Sequence, residues 1–236
     1  MRVRGRREQY AAIRRQRPEL FTNPPGAAHE ILFDPREIKA AETAETARLN
    51  SRGLPSSWSR TGIVYQDPYQ IVVRDAVRHP DGSLGTYVRT MPTNSNIGVA
   101  ILPILDGEVV LLRHFRHATR GNHLEIPRGF GEPGIAPAEQ AQKELREEIG
   151  SSADKLIDLG GFHSNTGIAT DYTALYLAEI HELGEPQTSE GISDIMTYPA
   201  RDVARMIRLG KITDSFTIGA FTRALLAGLL PGLALA

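Results

Sequence analysis

The sequence contains no cysteine among its 236 residues. This absence excludes disulfide bonds, thiolate zinc sites and cysteine nucleophiles. Positive charge is not in excess either: the formal net charge is −1, so electrostatics give no reason to expect a nucleic-acid or membrane partner. The uncharged apolar stretches fall short of the ~20 residues that a membrane span needs. We therefore expect a cytoplasmic protein.

The pattern of the chain divides it into three parts. Residues 1–57 contain two helical segments separated by a Pro-Pro-Gly break, and we predict a helical N-terminal extension there. Residues 58–94 alternate apolar and polar residues around Pro80–Gly82, which predicts antiparallel strands. Residues 95–236 run from strands to a helix, then to further strands and helices, which predicts a mixed α/β (α+β) domain.

One helix of this last part is well specified. Four apolar residues recur at intervals of 3, 4 and 4, which at ~100° per residue makes one apolar stripe: Ala138, Ala141, Leu145 and Ile149. Pro137 suits the first helical position and Gly150 suits the position after the last. We therefore predict a helix from about Pro137 to Ile149.

Three glutamates form an acidic group beside that stripe. Glu144, Glu147 and Glu148 fall within an arc of roughly 100°, and no basic residue of the helix is placed to neutralise them. Like charges at this spacing repel, so the group needs either water or a cation. Mg²⁺ and Mn²⁺ prefer carboxylate oxygens, and the glycines of PRGFGEPG just ahead let the backbone approach a ligand closely. A solvated acidic face and a metal site both fit these residues.

The acidic segment resembles a known family. GFGEPGIAPAEQAQKELREEIGS resembles the Nudix box, and it matches without insertion or deletion at Gly129, Glu144, Leu145, Glu147, Glu148 and Gly150. The resemblance implies a Nudix-type α/β/α sandwich with a mixed sheet, a Nudix catalytic domain in residues 95–236, and Mg²⁺ or Mn²⁺ bound by Glu144, Glu147 and Glu148. Three positions depart from the box: Ile135, Lys143 and Ser151. Because the family forms an ion pair between the first two positions, we expect this chain to lack that brace of the loop.

The resemblance extends ahead of the box, toward the branch that hydrolyses ADP-ribose and nucleoside-diphosphate sugars. LLRHFRHATRGNHLEIPRGFGEPG resembles that branch's strand with spaced arginines, which leads into an E-hydrophobic-P-x-G turn. From it we predict a substrate-binding set of Arg113, Arg116, Glu125, Arg128 and Gly129. Arginine suits a diphosphate because its planar fork binds two oxygens. We expect His114 and His117 to be surface or packing residues.

The branch implies metal-dependent hydrolysis of the diphosphate linkage of a nucleoside diphosphate derivative, such as ADP-ribose or a nucleotide sugar. The predicted catalytic residues are Glu147, Glu148 and Glu190, with Glu190 or Glu148 deprotonating the attacking water. Two alternatives stay open. The replacements Ile135 and Lys143 suggest a weakened enzyme that binds a nucleotide as a sensor or scaffold, and the arginine-rich N terminus suggests a nucleic-acid binder.

Assembly is predicted from residues 62–92. Their alternation leaves one apolar face, which needs a cover. In the branch that the chain resembles, this element packs across a two-fold axis, so we expect a homodimer. Residues 1–57 could cover the face instead, and the protein would then be a monomer.

Overall fold

The computed structural model describes residues 5–186 and 191–233. Contacts divide the chain into two units, one made of the residues up to Ser95 with Asn165–Thr170, the other of residues 96–164 with those from Asp171 onward. Each unit has its own hydrophobic core. Within the described part, no helix has the length and apolar character needed to cross a membrane.

The first unit combines an antiparallel sheet with two helices. Its strands are β1 (Glu30–Ile31), β2 (Gly62–Gln66), β3 (Gln70–Arg78) and β4 (Leu84–Pro92), and its helices are α1 (Arg6–Gln16) and α2 (Pro35–Ser51). Strand β3 pairs with each of the other three strands. Short 3₁₀ turns follow α1 at Pro18–Phe21 and α2 at Ser56–Ser59.

Both faces of β3 are covered by residues of the N-terminal extension. Ile71 and Val73 pack in one cluster with Ile13 of α1 and with Phe21. Ala76, which lies on the opposite face because side chains alternate along a strand, packs in a second cluster with residues of α2. The N-terminal extension therefore covers the apolar face that we expected a second subunit to cover. The homodimer stays a prediction, but this apolar face no longer supports it.

The second unit is a mixed sheet between two helical layers. Its strands are β5 (Gly98–Leu105), β6 (Glu108–Arg116), β7 (Gly121–Glu125), β8 (Arg128–Gly129), β9 (Lys155–Phe162), β10 (Thr173–Ile180) and β11 (Ile192–Tyr198); its helices are α3 (Pro137–Ile149), α4 (Ala200–Arg208) and α5 (Ser215–Leu226). The strand order is β11-β6-β5-β10-β9, with β7 beside β6 and β8 beside β5. Strands β5 and β10 pair in parallel.

The helices lie on opposite faces of this sheet. Leu112 of β6 packs with Leu145 of α3, whereas its neighbour Leu111 packs with Val203 of α4 and Phe221 of α5. Adjacent residues of a strand point to opposite faces, so α3 forms one layer and α4 with α5 the other. The predicted α/β/α sandwich with a mixed sheet is confirmed.

Helix α3 has the bounds that the sequence predicts, Pro137–Ile149, and Gly150 ends it in the left-handed conformation with φ 61°. The predicted stripe is wrong at one position, because Ala138 is exposed. Its place on the buried side is taken by a polar row with a spacing of four: Gln140, Glu144 and Glu148, which are 1%, 8% and 2% exposed. Two of the three predicted metal ligands are therefore buried rather than solvent-facing.

Candidate active site

Glu144 is held where the box loop meets α3. Strand β8 pairs with β5 through Gly129 and Val99, and this pairing brings the Gly129 backbone against the Glu144 carboxylate. A Cβ at position 129 would lie 1.9 Å from Glu144 Oε1, so any other residue there would displace the carboxylate from this position. On its other side, Gln140 Nε2 donates a hydrogen bond to the same Oε1 at 2.7 Å.

Glu148 lies one turn further along α3 and accepts a hydrogen bond from the backbone N–H of Arg128 at 3.0 Å. Burial raises the pKa of Glu148 to about 8, and repulsion from Glu144 and Glu125 adds to the shift. The Arg128 hydrogen bond and the charge of Arg116 act in the opposite direction and are outweighed. Burial therefore outweighs the positive charge near Glu148.

Glu147 is the most exposed of the three glutamates. Its Oε1 lies 3.6 Å from Lys143 Nζ, and Lys143 also pairs with Glu132 in the box loop. Two expectations were therefore wrong. A basic residue of the helix does reach the acidic group, because lysine is long enough to contact the residue one turn away. The brace of the loop is also present, since Glu132 provides the carboxylate that position 135 lacks.

Glu125, the last residue of β7, is the centre of a cluster of ionisable side chains. Glu125 is 1% exposed, and its carboxylate contacts His114 Nδ1 at 3.0 Å, Arg116, and Arg128 Nη2 at 3.9 Å. Burial alone would raise the pKa of Glu125. The close contacts of His114 and Arg116 with the carboxylate, together with the positive charges of Arg116 and Arg128, hold the pKa below its ordinary value.

Several N–H donors of the two arginines in this cluster lack a hydrogen-bond acceptor among the described residues. Among the described residues, the buried atoms Arg116 Nε, Arg116 Nη2 and Arg128 Nε have no hydrogen-bond partner of suitable geometry. Arg116 Nη2 is close to Glu125 but poorly aligned with it, and Arg128 reaches the carboxylate only through Nη2 at 3.9 Å, so Glu125 neutralises charge without satisfying these donors. Buried donors of this kind are costly unless a ligand or water accepts from them.

The start of α5 fixes the turn that carries Arg128. Thr217 Oγ1 accepts a hydrogen bond from the N–H of Ile126 at 3.1 Å and donates to Asp214 Oδ2 at 2.8 Å. Asp214 is the N-cap of α5 and accepts a second hydrogen bond from the N–H of Thr217. The guanidinium of Arg128 lies over the Phe216 ring, 4.7 Å from its centroid. Asp214 and Thr217 therefore hold the turn in place, a role that the sequence alone does not reveal.

The predicted substrate-binding set is not brought together as a whole. Arg116, Glu125, Arg128 and Gly129 lie around the polar row of α3, but Arg113 is exposed, with Nη2 3.9 Å from Met196 Sδ of β11. An odd spacing along a strand places Arg113 and Arg116 on opposite faces. Glu190, a predicted catalytic residue, lies outside the described residues.

Sequence reasoning missed the position of His114. This residue is 3% exposed and faces Glu125, so it is buried in the charged cluster rather than in apolar packing. The available signal was its spacing of two from Arg116, which places both side chains on one face of β6. His117 is exposed, as expected, and its Nδ1 lies 2.8 Å from Arg120 Nη1.

The donor set suits a divalent cation, although it is not arranged as a complete cage. Among residues 5–186 and 191–233, no three His, Asp or Glu side chains converge as a ligand set. Glu147 is turned toward Lys143 instead and would have to leave it to become a ligand. Glu144 and Glu148 repel each other in a buried position, and hard cations prefer such carboxylate oxygens, so the residues fit Mg²⁺ or Mn²⁺.

Comparison with known proteins gives the family. The NUDIX domain model matches residues 94–216, which is more than half of the chain. The chain belongs to the Nudix family, in the branch of the ADP-ribose pyrophosphatase-like hydrolases.

Two relatives support the assignment to that branch. The chain is 29% identical over 124 residues to the ADP-ribose pyrophosphatase of Bacillus subtilis (strain 168), an alignment that covers 50% of this chain and 66% of that protein. It is 30% identical over 155 residues to the ADP-ribose pyrophosphatase of Mycobacterium tuberculosis (strain ATCC 25618 / H37Rv), covering 61% and 71%. The chain thus spans about two thirds of the length of these relatives.

A solved structure shares the fold. The crystal structure of an ADP compounds hydrolase superposes with a TM-score of 0.60 over 70% of this chain and 89% of that one. The two are 19% identical in sequence, so this likeness supports the Nudix fold and nothing further.

Proposed function

We propose that the protein hydrolyses the diphosphate linkage of a nucleoside diphosphate derivative, ADP-ribose or a nucleotide sugar, in a reaction that requires Mg²⁺ or Mn²⁺. The products would be a nucleoside monophosphate and a phosphorylated second product. Relatives described as ADP-ribose pyrophosphatases support this substrate class.

One observation carries the proposal. Among the described residues, buried guanidinium donors of Arg116 and Arg128 lack aligned acceptors, and they lie beside two buried carboxylates, Glu144 and Glu148, that repel each other. A diphosphate ester with a bound divalent cation compensates both groups at once, since its oxygens accept from arginine and its metal neutralises carboxylates. A ligand with only one of the two charges would leave half of the site uncompensated.

The residues then have separate roles. Glu144 and Glu148, with Glu147 after it leaves Lys143, would hold the metal, which supplies charge neutralisation and a water of lowered pKa.

Arg116 and Arg128 would bind diphosphate oxygens, and Glu125 would orient both guanidinium groups. Glu190 or Glu148 would take the proton from the attacking water.

The alternative of a weakened, nucleotide-binding protein is not favoured. It was based on the missing brace at Ile135 and Lys143, and Lys143 pairs with Glu132 instead. The homodimer and the cytoplasmic location stay predictions. Light scattering at micromolar concentration tests the first, because a monomer would have a mass near 25.9 kDa.

A panel of substrates tests the function. Nucleoside diphosphate derivatives, including ADP-ribose and several nucleotide sugars, would be incubated with Mg²⁺, with Mn²⁺ or with a chelator, and the products identified by mass. We expect cleavage within the diphosphate of at least one compound and none with the chelator. Binding of these compounds without cleavage would contradict the proposal and support the sensor.

A further inference from the structure

Gln140 is a buried polar residue without an assigned role. It lies on α3, one turn before Glu144, and is 1% exposed. Its position falls among the unspecified positions of the box, so the resemblance gave it no function. Its Nε2 donates to Glu144 Oε1 at 2.7 Å.

The contact immobilises one oxygen of Glu144. The carboxylate is confined on one side by the Gly129 backbone, where a Cβ would displace it, and on the other by the Gln140 amide. Only the amide nitrogen can face a carboxylate oxygen favourably, because a carbonyl oxygen in that position would repel it. The Glu144 carboxylate thus has a fixed position before any ion binds.

Packing does not explain why an amide stands here. Gln140 Oε1 is buried and has no hydrogen-bond partner among the described residues. Such an atom costs free energy relative to an apolar group of the same shape. Methionine would fill nearly the same volume without this penalty, so a role of the amide toward Glu144 accounts better for its presence.

We propose that Gln140 is a positioning residue for metal binding: it holds Oε1 of Glu144 so that the carboxylate presents a fixed donor to the cation. The inference rests on the proposed function, because it presupposes that Glu144 is a metal ligand. Partners that orient a ligand in this way typically change metal affinity by about 10- to 100-fold when they are removed.

The test is the affinity for Mn²⁺ in the absence of substrate, measured from the electron paramagnetic resonance signal of free Mn²⁺. We expect Gln140→Met to weaken Mn²⁺ binding about tenfold or more while the melting temperature of the metal-free protein stays the same or rises. Gln142→Met on the same helix is the matched control. Gln142 bonds the backbone N–H and C=O of Ala153, so its loss should lower the melting temperature and leave the affinity unchanged.

A double-mutant cycle separates action through Glu144 from a general effect on the helix. In the background of Glu144→Gln, Gln140→Met should not weaken Mn²⁺ binding further. Gln140→Leu, judged by circular dichroism, serves if the methionine variant does not fold. Wild-type affinity in a folded Gln140 variant would overturn this inference alone, and so would an equal loss in both backgrounds. A wild-type protein that binds no Mn²⁺ at millimolar concentration would overturn the proposed metal site as well.

Discussion

The two units of the molecule each bury a cluster of charged groups, and the two clusters differ in how completely they are satisfied. In the first unit, Asp75 of β3 is 2% exposed and accepts from Tyr10 and from Arg89 Nε, the latter at 2.5 Å. Arg89 also donates to the carbonyl of Leu20 at 2.6 Å and lies over the Phe21 ring. Within the described residues, none of the polar atoms of Tyr10, Asp75 or Arg89 is buried without a partner.

The hydrogen bonding of the cluster in the second unit is less complete. Glu125 contacts His114, Arg116 and Arg128, yet several of their donors have no aligned acceptor among the described residues. Glu148, beside them, has a pKa raised to about 8, chiefly by burial. Similar residue types thus form a satisfied network in one unit and an unsatisfied one in the other.

The difference separates a structural role from a binding role. A buried ion pair with complete hydrogen bonding needs nothing further, whereas buried donors and acids without partners are tolerated where a ligand completes them. We infer that the Asp75 cluster stabilises the packing of the N-terminal extension on its sheet, and the unsatisfied donors near Glu125 agree with the proposed binding of a metal and a diphosphate.

The largest expected effect is on the stability of the first unit. Asp75→Asn leaves Arg89 buried without its counter-charge, so we expect a loss of about 3 kcal/mol in the free energy of unfolding. Denaturation followed by fluorescence of Trp58, the single tryptophan, reports on this unit. Glu30→Gln is the control, because it removes the exposed ion pair with Arg78 and should cost less than about 1 kcal/mol. Equal losses in the two variants would contradict a structural role of the buried cluster.

A pH series tests whether Glu148 keeps its proton in the metal-free folded protein. In the metal-free folded protein Glu148 keeps its proton up to about pH 8, whereas the unfolded chain ionises near 4.5. Between these values the folded state holds a proton that the unfolded state has lost, so this group's contribution to stability falls as the pH rises, until about pH 8. Glu148→Gln removes that fall. Its gain in melting temperature over wild type should be small at pH 5 and large at pH 9, and a gain independent of pH would show that Glu148 is already ionised.

Arg116 and Arg113 sharpen the comparison within the second unit. Arg116 lies in the Glu125 cluster and Arg113 does not. We therefore expect Arg116→Gln to raise the KM for the substrate at least tenfold, about 1.4 kcal/mol. Arg113→Gln should change the KM less than threefold. Steady-state kinetics on both variants decide it. An equal rise would return Arg113 to the binding set that the sequence predicted.

The smallest expected effect concerns the brace of the box loop. Glu132→Gln removes the partner of Lys143, and we expect turnover to fall less than tenfold because Lys143 retains Glu147. Adding Ile135→Glu to that variant should restore turnover, since it places a carboxylate where the family has one. A loss without rescue would show that Glu132 acts on the substrate rather than on the loop.

Local patterns predicted the elements well. The apolar repeat, Pro137 and Gly150 gave the bounds of α3 because each acts through its own turn of the helix. The parallel pairing of β5 with β10 and the short strand β8 were not predicted, since they depend on residues distant in sequence. The cover on both faces of β3 is of the same kind, because only tertiary packing decides which segment lies there.

The candidate site was predicted in part. Spacing grouped the three glutamates and the resemblance to the Nudix box assigned them to a metal site, but their burial and the contact of Glu147 with Lys143 depend on side-chain direction and on the box loop. Gln140 was missed because it is not apolar and the box leaves its position unspecified, although its spacing of four from Glu144 placed both side chains on one face of the helix. Arg113 was grouped with Arg116 by resemblance, although their odd spacing on β6 already placed them on opposite faces.

The most direct test of the account compares the two clusters by activity. Turnover of ADP-ribose, or of the best substrate from the panel, would be measured with Mg²⁺ for wild type, Glu147→Gln, Glu148→Gln and Asp75→Asn at a temperature where all four are folded. We predict that each glutamate variant loses at least 100-fold, about 2.7 kcal/mol in the barrier, and that Asp75→Asn stays within threefold of wild type. Comparable activity in the glutamate variants and wild type, or a 100-fold loss in folded Asp75→Asn, would contradict it.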